Sequence, residues 1–238
     1  MEIIKFDELK RGYVGIIGKS EIPVRSIIHY ISNLSNDYAK VIMIQRIGEL
    51  FLKGAQDKNF FVTTNSVNWL PDYNSNSWVK NNYENQKYLM MAEKSENPEK
   101  FWNIIKNYAR PVVFYKNNNN IIPLYNYEHK SSDSFKLVHF YENSPFLIEI
   151  IGAIAALVTI VYTIKGDYRQ SESHKSDELY KSVNTLEKIV SCSKFINDNN
   201  VPAGYRAYAE NTLEYYKHKH KEYANKLGIV KLHIDIEK

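Results

Sequence analysis

Lys19 follows Gly18 in a turn that leads through Pro23 into a run with helical spacing. A lysine in such a turn stands beside the free N–H groups and the positive dipole end of a helix, which is chemistry for a phosphate. The plain alternative is a solvated turn residue. His218-Lys219-His220 offers two metal-ligand side chains. Positions i and i+2 of a helix point to different sides, so this stretch reads as a solvated basic face. His139, inside SFKLVHFY, reads as a packed histidine rather than a general base. Cys192 reads as a small core residue on an apolar helix, and Asp235 and Glu237 as solvent-facing carboxylates on one strand face. The sequence has no CxxC, no P-loop, no GxGxxG and no Ser/His/Asp set in a nucleophile-elbow context. It therefore points to no reaction and no cofactor or metal, and a non-enzymatic role is the expectation.

The 238 residues suggest one large or two small domains, and the 44% hydrophobic content suffices for a core. Net charge is +4 and the isoelectric point is near 8.8, compatible with a polyanionic partner without requiring one. The single cysteine allows no intramolecular disulfide, which fits a reducing cytosol. MEIIKFDELKRGYV alternates charge without an apolar stretch, so no signal peptide is expected.

The elements that would position these residues form an α+β chain. GYVGIIG (12–18) predicts a strand. Pro23 predicts the start of a helix through Val24, Ile27, Ile28 and Ile31. AKVIMIQ (39–45) has the continuous apolar pattern of a buried strand, followed by a short helix through Leu50, Phe51 and Ala55. NFFVTTNSVNWL (59–70) is rich in β-formers. Residues 71–110 read as an insertion in which Asn97 and Pro98 open a helix. PVVFY and IIPLYNY flank an asparagine-rich hairpin loop, and SFKLVHFY (134–141) is a further strand. Leu179, Val183, Leu186 and Val190 form a helix stripe. A tyrosine- and lysine-rich helix from about 205 to 227 ends at Gly228 before an alternating strand at 229–237. The expected division is an α/β domain over 1–142 and a helical region with a closing strand over 143–238.

With these elements placed, the first region resembles the Alba family of chromatin and RNA-binding proteins. The resemblance lies in VGIIGKSEIPVRSIIHYISNL and AKVIMIQRIGELFLKGAQ: Gly18, Lys19, Pro23 and Val24 stand in the first set of family positions, and Gly48 and Lys53 in the second. Two extra residues separate Lys19 from Pro23, and Ile47 stands where the family carries arginine, with Arg46 adjacent. The match covers about a quarter of the chain. It implies a β-α-β-α-β core and nucleic-acid binding through Lys19, Arg25, Arg46 and Lys53. Residues 1–70 hold nine Lys+Arg against seven Asp+Glu, so binding would be weak or avidity-dependent. The helix carrying Tyr205, Arg206, Tyr208, Tyr215, Tyr216, Lys217, Lys219 and Lys221 could be a stacking and phosphate surface, but an oligomer or domain interface is the favoured reading.

SPFLIEIIGAIAALVTIVYTIKG (144–166) is the most apolar run. Read as a helix over 145–164, it is long enough to cross a bilayer core. Glu149, Gly152, Ala153, Ala156, Thr159 and Thr163 recur at three- and four-residue steps and give it one small or polar face. Such a face packs closely against another helix, in lipid or in protein. A buried or oligomer-core helix is favoured over membrane insertion. The expected protein is thus a non-enzymatic, self-assembling bacterial or mobile-element protein of the cytoplasm that binds nucleic acid. The alternative is a membrane-associated effector or sensor, of the kind used in phage defence, acting through helix 146–164.

Overall fold

A computed structural model of the chain describes residues 9, 11–64, 89–92, 96–117, 120–125, 127, 134–141, 145–153, 156–157, 159–160 and 198–236. These are mixed α+β, with two four-stranded antiparallel sheets. The chain divides into two compact units. The first takes residues 1–41, 130–194 and 213–238, and the second 42–129 and 195–212.

The sheet of the first unit has the order β6-β7-β1-β8. Its strands are β1 (Arg11–Gly18), β6 (Lys136–Tyr141), β7 (Leu147–Ala153) and β8 (Ile229–Ile236). Strand β1 is central because its alternation puts Val14 and Ile16 wholly inside, and both its edges find partners. The closing strand predicted at the C-terminal end is β8, and it joins β1. Helix α1 (Val24–Leu52) supplies its residues up to Val41 to this unit, and helix α3 (Ala203–Leu227) supplies those from Leu213. Gly228 ends α3 with φ of 55°, a left-handed value that suits glycine. Its carbonyl accepts from the Lys19 N–H, and the Lys19 side chain fills the space a Cβ would need.

The sheet of the second unit has the order β3-β2-β4-β5. It comprises β2 (Phe60–Thr63), β3 (Leu89–Met90), β4 (Val112–Asn117) and β5 (Asn120–Pro123), the last two forming the predicted hairpin. Helix α2 (Asn97–Asn107) carries Pro98 in its first turn, though Glu96 rather than Asn97 is the capping residue. Phe51, Phe60, Trp102, Tyr115 and Tyr205 interlock as the aromatic core of this unit.

Two sequence expectations need correction. Residues 39–45 are not a strand but the middle of α1, one continuous helix of 29 residues. Every residue from Asp37 to Gln45 is buried, so apolar side chains occur all round and the helical period is erased. The β-branched run read as a strand because burial, not propensity, decides here. The apolar run after Pro145 is likewise not one helix. Leu147–Ala153 is a strand between β1 and β6, so Glu149, Gly152 and Ala153 lie in a sheet. Ile148 and Ile150 are buried while Leu147 and Glu149 are not, a period of two that a short apolar run conceals. Ala156 and Thr159 are helical, and Thr163 lies outside the described residues, as do Cys192 and the stripe from 179 to 190. Among the described residues no helix is long and apolar enough to cross a membrane.

Gly152 lies against Tyr38: an added Cβ would come 3.0–3.1 Å from its hydroxyl and ring, so the tyrosine would have to give by a few tenths of an ångström. The Tyr38 hydroxyl accepts from the Ala153 N–H at 2.7 Å, joining α1 to the end of β7 inside the core. Tyr38→Phe therefore leaves a buried donor unsatisfied, and urea denaturation will show a loss of about 1–3 kcal/mol. An unchanged midpoint would mean that this N–H finds another acceptor.

Candidate functional site

In the first unit, α1 and α3 bring together the charged side chains that the sequence placed in solvent. Asp37 and Lys40 are one turn apart on α1, with Tyr30 two turns before Asp37 on the same face. Lys219 and His220 come from α3. The Asp37 carboxylate has no solvent exposure and accepts from three donors. Lys40 Nζ donates to Oδ1 at 2.9 Å, and Lys219 Nζ donates to Oδ2 at 2.8 Å. His220 Nε2 meets Oδ2 at 3.0 Å. An ionised carboxylate accepts only, so Nε2 carries the proton and Nδ1 the lone pair. Among the described residues the buried Nδ1 has no hydrogen-bond partner, and neither has the Tyr30 hydroxyl. The rings of Tyr30 and His220 meet edge to face at 6.0 Å between centroids. The Lys40 ammonium lies 5.1 Å from the centre of the Tyr216 ring.

Burial alone would raise the Asp37 pKa. The hydrogen bond from His220 and the charges of Lys40, His220 and Lys219 outweigh it and hold the carboxyl well below the usual range. Burial pulls His220 below its ordinary value; Asp37 opposes this, and Lys219 and Lys40 add to it. Burial also lowers Lys40, against the pull of Asp37. Burial raises the Tyr30 phenol, which stays neutral. The set has the components of an acid–base site, but Asp37 and His220 have no surface exposure. In this state it is an ion-pair clamp between two helices.

The four predicted phosphate-binding residues fall in two groups. Lys19 and Arg25 are exposed in the first unit, on either side of a turn in which Glu21 has φ of 67°. Arg46 and Lys53 belong to the second unit, where Arg46 donates to the Leu124 carbonyl at 2.5 Å and supports the fold. Lys53 is exposed. The tyrosine-rich helix is mostly internal packing. The Tyr205 hydroxyl donates to the Ile44 carbonyl at 2.6 Å, Tyr208 stacks on Trp102, and Tyr216 is buried. His139 is not packed: its side chain is half exposed, 3.9 Å from Glu149. His218 is exposed as expected, but Lys219 and His220 are corrected from a solvated face to the clamp.

The second unit also holds an open, mainly apolar cleft of about 470 Å³ between Val62, Thr63, Leu89, Ile104 and Tyr108. Its lysine, Lys100, pairs with Glu96 at 3.0 Å. Among the described residues no group of three or more His, Cys, Asp or Glu could hold a metal ion. Comparison with protein-family models, with curated proteins and with solved structures finds no match.

Exchanging one carboxylate oxygen for an amide NH2 removes the negative charge and turns a donor toward at least one of the three donors it now serves. Asp37→Asn is expected to cost about 3–5 kcal/mol in denaturant unfolding. Asp37→Leu combined with Lys40→Met, which removes both charges, recovers part of that loss. A loss below about 1 kcal/mol for the single variant would make the cluster a spectator. Because the Asp37 pKa is lowered, its contribution is complete above the ordinary value of 3.8 and disappears as pH falls below it.

Proposed function

We propose that this protein is a non-enzymatic assembly module that joins copies of itself and binds nucleic acid through phosphate contacts. The observation that supports assembly is the condition of β6. Among the described residues it is an edge strand of its sheet, and five of its six residues are exposed, on both faces. Leu137, Val138 and Tyr141 are 46%, 41% and 51% exposed. An edge with unpaired backbone groups and apolar side chains is a template for pairing with another strand. The pairing with β7 is irregular between Leu137 and His139, and a bulge there bends the edge and selects which partner fits.

The nucleic-acid part rests on Lys19 and Arg25, both exposed around the entry to α1, whose first turn carries no acidic residue. The N–H groups and dipole of that turn add to their charge. Exposed Glu21 in the same turn subtracts from it, so binding is weak for one copy and gains from assembly. Arg46 is given to the fold, which leaves Lys53 as the second unit's contribution.

Light scattering after size exclusion will give the mass of an oligomer for the wild type and of a monomer for Leu137→Lys with Val138→Lys. A monomeric wild type would end the assembly reading. Fluorescence anisotropy with labelled single-stranded RNA at low salt will show weaker binding for Lys19→Ala with Arg25→Ala. The slope of log affinity against log salt will fall by about one for each lost phosphate contact. Binding untouched by both changes would remove this site.

A further inference from the structure

We propose that the His220–Asp37 contact is an acid-released clasp, which opens the α1–α3 pair of the first unit as pH falls through the mildly acidic range. The geometry gives His220 one place for a second proton, Nδ1, and that atom is buried with no acceptor within hydrogen-bonding distance. A proton there would also put a third positive charge on a single carboxylate already engaged by Lys40 and Lys219. The groups facing His220 are Asp37, Lys40 and Tyr30 from α1, and Lys219 and Tyr223 from α3. Asp37 is the acid among them, and it is already used by three donors. Tyr30, whose phenol burial keeps neutral, gives the imidazolium no counter-charge. Accepting a proton therefore requires the ring to leave its site. Among the described residues the ring is held by the contact with Asp37 and by the rings of Tyr30 and Tyr223, so on this proposal it leaves by parting the helices.

The sign follows from burial. The imidazole is harder to protonate when closed than when open, where its ordinary value is 6.5. Above that value both forms are neutral and the clasp is at full strength. Below it the open form binds the proton first, so the closed form loses up to about tenfold in population per pH unit. Asp37 stays ionised through this window and does not share in the effect. His29 on α1, which meets the Tyr223 hydroxyl at 3.2 Å, is exposed.

Hydrogen exchange of the full chain, corrected for the intrinsic pH dependence of amide exchange, tests the clasp. Opening of 24–41 and 213–227 will rise by up to about tenfold per unit below pH 6.5, while 97–117 in the second unit holds its protection. His220→Gln, whose amide still donates to Asp37, will lose this pH response, and His29→Gln will keep it. Nitrogen shifts of the wild-type His220 ring provide a readout without mutation, showing the neutral form with the proton on Nε2 at pH 7. A pH response equal in wild type and His220→Gln, no response in the wild type, or an imidazolium at pH 7 would each overturn the clasp.

Discussion

A carboxylate with no access to water must find its hydrogen bonds in protein, and Asp37 finds three. That requirement determines much of the first unit. Lys40 comes from the same helix and is held at a fixed offset by the helical repeat. Lys219 and His220 come from α3 and reach the same carboxylate only at one rotation and one height of that helix. The tyrosines then fall into place: Tyr216 under Lys40, and Tyr30, Tyr223 and His220 in mutual ring contacts, edge to face between Tyr30 and His220 and tilted in the other two pairs. Further along, the end of α3 meets the start of α1, where Gly228 turns the chain beside Lys19 and delivers it to β8. A hydrophobic helix pair can slide by a turn at little cost; one with a buried charge cannot, because any other register strands an ion.

Much of the fold was legible where local signals agreed. A short apolar run marked β1 and alternation marked β8, Pro98 marked the first turn of α2, the asparagines between 117 and 120 marked a hairpin, and Gly228 ended α3. The failures came where burial removed the period. In 39–45 the apolar residues surround the helix, so nothing in the pattern tells helix from buried strand. In 147–153 the converse happened: Glu149, Gly152 and Ala153 fit a helical step by coincidence, while the true period of two was compressed among isoleucines.

The candidate site was not legible at all, and the reason is distance along the chain. Asp37 and His220 are brought together by tertiary packing across most of the sequence, and a single sequence carries no record of such pairs. Within KHKHKEY the two histidines look equivalent. One is exposed and the other has no contact with water, a difference set by which side of α3 meets α1. The tyrosine content was the available clue. Three of those rings pack on the lysine and histidine that hold one carboxylate, which is a use of aromatic residues distinct from stacking on bases.

The pairing of β1 with β8 bears on how the chain comes to be folded. On a ribosome the strand at 11–18 emerges first, and one of its two neighbours is made roughly two hundred residues later. Until then one side of a hydrophobic central strand lacks its partner, and closing so long a loop is slow. The intervening stretch includes all of the second unit's residues, which can collapse while the first waits. Nascent chains therefore carry an open sheet edge for most of their synthesis, a state in which chaperone capture or pairing with a neighbouring nascent chain competes with completion of the sheet.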